Sequence, residues 1–166
     1  MMPTKLILAP IDFSHFSNNT LNVAVDLASR LGAGLLLVHI VPAIPVLPEG
    51  VSIFKEGEFD SELHEKAAKQ LQKLASTLAN KNLSVRTEVG TANDVGMELV
   101  RIAEHDNVGM IVIATHGMTG WRRNAFGSVA RKVAEQAACP VLVLRANVED
   151  HSVESKAHSS GATALG

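Results

Sequence analysis

Five short runs of leucine and β-branched residues, separated by segments with helical apolar spacing, constrain this chain more than any other feature. They are Lys5–Pro10, Leu35–Val41, Leu83–Val89, Gly109–Thr115 and Val141–Arg145. Four are continuous apolar runs, the pattern of strands buried on both faces of a parallel sheet. The third, LSVRTEV, alternates, which predicts an edge position. In 18–31, Leu21, Ala24, Val25, Ala28 and Leu31 recur at three- and four-residue steps, and Gly32 follows where a left-handed C-terminal cap belongs. Leu63, Ala67, Leu71, Leu74 and Leu78 form a second stripe, with lysines and glutamates opposite. A third helix is predicted over 93–104, with Gly96 as a weak point in its interior, and a fourth from Ser128 until Pro140 stops it.

Strand and helix therefore alternate from end to end, which predicts a doubly wound α/β domain: one parallel sheet, right-handed crossovers and helices on both faces. A length of 166 residues suits one such domain, expected over 1–146. Residues 147–166 lack aromatic residues and any sustained apolar period, so they read as a flexible tail. The 42–58 segment is long for a connection and carries several prolines, the mark of a lid or a mobile loop.

Composition excludes several classes of function. A formal net charge of −2 with 19% charged residues lacks the basic excess that nucleic-acid binding needs, so no nucleic-acid partner is expected. Cys139 is the sole cysteine, which rules out an intrachain disulfide and a cysteine-based zinc cluster. The first residues do not follow signal-peptide order, and no apolar run approaches the ~20 residues that span a bilayer. A cytoplasmic protein without membrane insertion is the expectation.

Ligands of open α/β sheets sit beyond the carboxyl ends of the strands, where the winding reverses, so the strand-to-helix turns hold the information. The first turn, APIDFSHFSNN, has neither G-x-G-x-x-G nor a Walker A sequence. It does place Asp12 just after a strand, where a carboxylate can accept from ribose hydroxyls or a base amine, help to hold a metal, or cap the following turn or helix. The fourth turn, ATHGMTGWRRNAFGSV, combines Gly117, Gly120 and Gly127-Ser128 with Arg122 and Arg123. A helix N-terminus starting there would stabilise an anion, with the serine hydroxyl and the arginines adding to it. The plain alternative is a connection in which Ser128 is an N-cap and the arginines are solvated.

Histidines offer no metal spacing: His39 lies in an apolar strand as a hydrogen-bonded core residue, while His116 alone stands in a turn that would face phosphates. Cys139 before Pro140 reads as a small buried residue rather than a reactive thiol. Ser128 lacks evident Ser-His-Asp partners, so a hydrolase is unsupported.

The fourth turn resembles the G-x2-G-x9-G-S/T pattern of nucleotide-binding universal stress proteins, here Ala114-x2-Gly117-x9-Gly127-Ser128. KLILAPIDFS, LLLVHIV and CPVLVLR extend the resemblance over nearly the whole domain. It implies a five-stranded parallel sheet in the order 3-2-1-4-5 and a site for ATP or AMP, with Mg2+ as a possible companion. Pro10 and Asp12 would lie by the adenosine, with Ile40 lining the adenine pocket. Ile113 and Ala114 would close the strand end, Gly117 would pass the ribose and phosphates, and Gly127, Ser128 and Val129 would hold the phosphates through backbone amides and the serine hydroxyl. Ala114 departs from the pattern's first glycine, and its methyl matters if the backbone there needs a positive φ. Trp121 and Phe126 stand in WRRNAF, where similar proteins commonly run through leucines, and are expected to pack under the loop, with stacking near a ligand as the alternative.

The implied function is a homodimeric nucleotide-binding stress-response regulator with an as yet unknown protein partner. Dimers would pair through the last strand, Val141 to Arg145, whose apolar character is awkward for an open edge. The alternatives are a dimeric interaction module with a vestigial site and a slow ATPase using a metal near Asp12.

Overall fold

In a computed structural model that describes residues 6–43, 58–78, 83–115 and 127–145, the chain alternates as the sequence predicts. The elements are β1 (Leu6–Pro10), α1 (His15–Leu31), β2 (Gly34–Pro42), α2 (Glu58–Leu78), β3 (Val85–Ala92), α3 (Val95–His105), β4 (Met110–Ala114), α4 (Ser128–Gln136) and β5 (Val141–Leu144). All four strand pairings are parallel, in the order β3-β2-β1-β4-β5.

Strand side chains alternate between faces, so a continuous apolar run feeds two cores at once. On one face Ile7, Ala9, Leu35 and Leu37 pack with Leu21, Val25 and Ala28 of α1 and with Leu71 and Ala75 of α2. On the other Leu8, Leu36, Val38 and Ile111 pack with Leu99 and Ile102 of α3 and with Ala130 and Val133 of α4. The central strands are accordingly shut off from water: Ile7, Leu8, Leu35, Leu37 and Ile111 have no exposed surface.

Helix α1 starts at His15, three residues before the stretch 18–31 read from the sequence, because Ser14 takes the extended conformation of an N-cap (φ −77°, ψ 165°). It ends at Gly32, whose φ of 63° and amide bond to the Ala28 carbonyl form the left-handed cap read from the sequence. Strand β3 lies at the sheet edge, yet runs to Ala92 rather than Val89. It follows the long β2 ladder as far as the Pro42–Ala92 pair. Gly90 permits this, since a Cβ there would lie 2.8 Å from Ile40 Cδ1.

Most of the 42–58 segment, the stretch 116–126 and the tail 147–166 lie outside the described residues, and with them the expectations for His116, Gly117, Gly120, Trp121, Arg122, Arg123 and Phe126.

A cleft where two strands part

Strand β1 pairs with β2 along its whole length, from Leu6–Gly34 to Pro10–Val38. With β4 its register holds only the pairs Ile7–Met110 and Leu8–Ile111, after which the two strands diverge. Crossovers run to opposite sides of the sheet here, so no connection covers the gap. A cleft of about 500 Å³ opens at this point.

The walls of the cleft come from distant parts of the sequence. Pro10 and Asp12 contribute from the end of β1, Ile40 from β2, Ile113 and Ala114 from β4, and Gly127, Ser128 and Val129 from the start of α4. Of the predicted site residues, all but Gly117, which is outside the described residues, thus meet in one cavity. The sequence reading missed Thr115, Thr20 of α1, and Val95 and Leu99 of α3, which also line it. Val95 and Leu99 belong to the apolar face of α3, and only the crossover places them against the cleft.

Asp12 takes the capping role considered for it, and it also borders the cleft. Asp12 Oδ1 accepts from the Ser14 amide at 3.0 Å and from the Ser14 hydroxyl at 2.6 Å, closing a local turn, while the residue still lines the cleft. His39, as predicted, is a hydrogen-bonded strand histidine: its Nδ1 donates to the Ile11 carbonyl at 2.6 Å.

At the opposite wall the amide of Gly127 donates to the Thr115 carbonyl at 2.8 Å, tying the end of β4 to the start of α4. That amide is therefore engaged within the protein. The first intrahelical bond runs from the Arg131 amide to the Gly127 carbonyl, so the orphan donors of the first turn belong to Ser128, Val129 and Ala130. Gly127, not Ser128, holds the N-cap position, which corrects the plain reading of Ser128 as a cap, and as a glycine it brings no capping side chain of its own. The φ of −57° and ψ of 147° at Gly127 are open to any residue.

Two helix N-termini border the cleft and differ in charge. At α3, the N-cap Asp94 accepts from the Met97 amide at 3.0 Å, so a carboxylate already occupies that end. The Met97 amide, with help from Lys132, holds the Asp94 carboxyl below the usual carboxylate range. At α4 the first turn has no acidic side chain of its own to offset its partial positive charge. An anion entering the cleft would find its donors at α4.

Ala114 ends β4 in extended conformation, paired with Leu144. Among the described non-glycine residues positive φ occurs at Phe13 and Asn107, not at Ala114. The missing glycine therefore costs no backbone strain, and its methyl group is one more apolar atom on the wall. Among the described residues no three His, Cys, Asp or Glu side chains group as a metal site, and no helix is long and apolar enough to cross a membrane.

An open five-stranded parallel sheet with a cleft at the strand reversal and a helix N-terminus at its wall defines a doubly wound α/β protein. The chain belongs to the universal stress protein family, whose pattern matches residues 3–145. A universal stress protein of Methanocaldococcus jannaschii is 32% identical over 143 residues, covering 85% of this chain and 82% of its own length. Among solved structures, the universal stress protein UspA of Lactobacillus plantarum superposes with a TM-score of 0.74 at 22% identity, over 87% of this chain and all (100%) of its own. A universal stress protein of Archaeoglobus fulgidus in complex with dAMP gives 0.58 at 21% identity, over 86% and 98%. One in complex with cAMP gives 0.56 at 14%, over 87% and 99%. At these identities the structural likenesses show the shared fold.

Proposed function

We propose that this protein is a nucleotide-binding stress-response regulator that takes ATP or AMP at the β1/β4 cleft and acts as a homodimer. The observation that carries the reading is the N-terminus of α4 at the cleft wall, where Gly127 brings no capping side chain and Ser128, Val129 and Ala130, whose amides have no intrahelical acceptor, line the same cavity as Asp12. These amides and the Ser128 hydroxyl would hold phosphate oxygens, with Gly117 passing alongside. Asp12 would accept from the sugar hydroxyls, and Ile40, Ile113 and Ala114 would cover the base with apolar surface. Mg2+, where present, would neutralise phosphate charge beside Asp12. The relatives solved with dAMP and cAMP make a nucleotide the natural class of ligand.

Dimerisation is supported by β5, which pairs with β4 on one side and carries Leu142 at 36% exposure. A second copy of the strand would satisfy its outer hydrogen-bonding groups. The solution mass of Leu142→Glu tests this, and a dimer that survives the charge does not use that strand.

For the nucleotide, the purified protein is denatured and any released nucleotide is identified, then ATP binding is titrated in the parent and in Gly127→Ala/Ser128→Ala. The expected result is micromolar or tighter binding that weakens in the variant. No released nucleotide and no measurable affinity in the parent would overturn the reading in favour of a dimeric interaction module, for which the Ala114 methyl on the cleft wall speaks. Incubation with Mg2+ and ATP distinguishes a holder from a slow ATPase, since a holder keeps ATP intact for hours.

A further inference from the structure

The turn that carries Asp12 has a shape its own sequence does not favour. Phe13 has φ 59°, a left-handed conformation that an aromatic residue rarely takes. Such a residue persists where its surroundings over-determine it. The surroundings here are the end of β2. The Ile11 amide donates to the Val38 carbonyl at 2.7 Å, the Ile11 carbonyl accepts from His39 Nδ1 at 2.6 Å, and the Phe13 ring lies against the His39 ring with centroids 4.7 Å apart at 38°. A carbonyl can only accept, so Nδ1 carries the proton and the imidazole is fixed in orientation. One side chain, His39, thus grips the turn on both sides of Asp12, at residues 11 and 13.

Asp12 itself is braced within the turn by the Ser14 amide and hydroxyl. That bracing sets the carboxylate relative to Ser14, whereas the place of the whole turn relative to the cleft depends on Ile11 and Phe13. We propose that His39 is a positioning residue that seats the Asp12 carboxylate at the cleft and so determines how strongly the site distinguishes a nucleotide with sugar hydroxyls from one without them. The proposal rests on the nucleotide reading above. Phosphate contacts at α4 lie on the other wall and are independent of it.

Three substitutions separate the parts of the grip. His39→Asn puts an amide N–H close to the position of Nδ1 and keeps the donor to Ile11. His39→Phe keeps a ring for Phe13 and removes the donor, and His39→Gln carries its amide one bond too far. Affinities for ATP, 2′,3′-dideoxy-ATP and inorganic tripolyphosphate are measured for each. The parent should prefer ATP to the dideoxy analogue by about tenfold, the worth of a charge-assisted hydrogen bond. His39→Phe and His39→Gln should bring the two within about twofold of each other, His39→Asn should retain most of the preference, and tripolyphosphate affinity should be the same in all four proteins. An undiminished preference in both donor-deficient variants overturns the proposal, as does an equal loss of tripolyphosphate affinity, which would signal general disruption.

Hydrogen exchange at the Ser14 amide gives a readout without nucleotide. It should accelerate about tenfold in His39→Gln and little in His39→Asn. Should the parent bind no nucleotide, the functional reading fails, while the exchange result still decides whether His39 holds the turn.

Discussion

Gly96 and Lys132 occupy a single contact between α3 and α4: a Cβ on residue 96 would lie 2.8 Å from both Cβ and Cγ of Lys132 and 3.4 Å from the Val129 carbonyl. From the same position Lys132 Nζ reaches Asp94 Oδ2, the N-cap of α3, at 3.0 Å. The start of one helix is thereby locked against the first turns of the other, at the wall where Val95 and Val129 meet the cleft.

Gly96→Ala should destabilise the protein although alanine is the better helix former. The methyl meets the root of the Lys132 side chain, which cannot swing away, so overpacking of ~1–3 kcal/mol outweighs a propensity gain of ~1 kcal/mol. The expected net loss is about 1 kcal/mol in urea unfolding. A more stable variant would mean that the helices are free to move apart.

Asp94 should contribute stability that disappears in acid. Its folded-state carboxyl is held low, first by the Met97 amide and then by Lys132. For a depressed carboxylate the contribution is present above the unfolded value, about 3.9, and is lost as pH falls through the lower folded value. The difference in urea midpoint between the parent and Asp94→Asn should therefore be largest near neutrality and should close below about pH 4. A difference independent of pH would assign the effect to packing.

Core truncations should separate sharply from surface ones. Leu8 has no exposed surface, so Leu8→Ala should cost about 2–5 kcal/mol. Leu31 is 44% exposed, and Leu31→Ala should stay within about 0.5 kcal/mol. Chemical unfolding of both variants checks the pair, and a small loss at Leu8 would contradict its place between the two helical layers.

Cys139 should be a slow thiol. It is half-buried, and burial pushes its pKa up, which lowers the thiolate fraction that reacts. A disulfide reagent at pH 8 should modify the native protein more slowly than the urea-unfolded chain, and equal rates would show that the residue is open to solvent.

Much of this was legible beforehand because it depends on local chemistry. Continuous apolar runs mark strands covered on both faces, and β1, β2 and β4 are covered in that way, whereas β5, which carries the same pattern, lies at the sheet edge with Leu142 exposed. Gly32 ends α1 because only a residue without a Cβ enters the left-handed region without strain. The adjacency of Asp12 to Gly127-Ser128 came instead from the resemblance to the family, whose strand order makes β1 and β4 neighbours at the reversal, as they are in the structure.

What stayed hidden depends on contacts between residues far apart in the chain. Gly96 read as a flaw in a helix until Lys132, 36 positions on, explained it. His39 read as a core histidine, and only the fold brings its ring to Phe13 and its Nδ1 to Ile11. The engagement of the Gly127 amide by Thr115, which shifts the orphan donors to Ser128, Val129 and Ala130, likewise follows from where the chain returns after β4.

The sequence by itself determined the alternation of strands and helices, the two-sided core and the residue types at the strand ends, because hydrophobic period and backbone preference act over a few residues. Tertiary structure alone decided that β1 and β4 part after Leu8, that the Asp12 turn is held from β2, and that α4 presents its N-terminus to the resulting cleft. These are matters of register and close approach between separate elements, which no local pattern encodes.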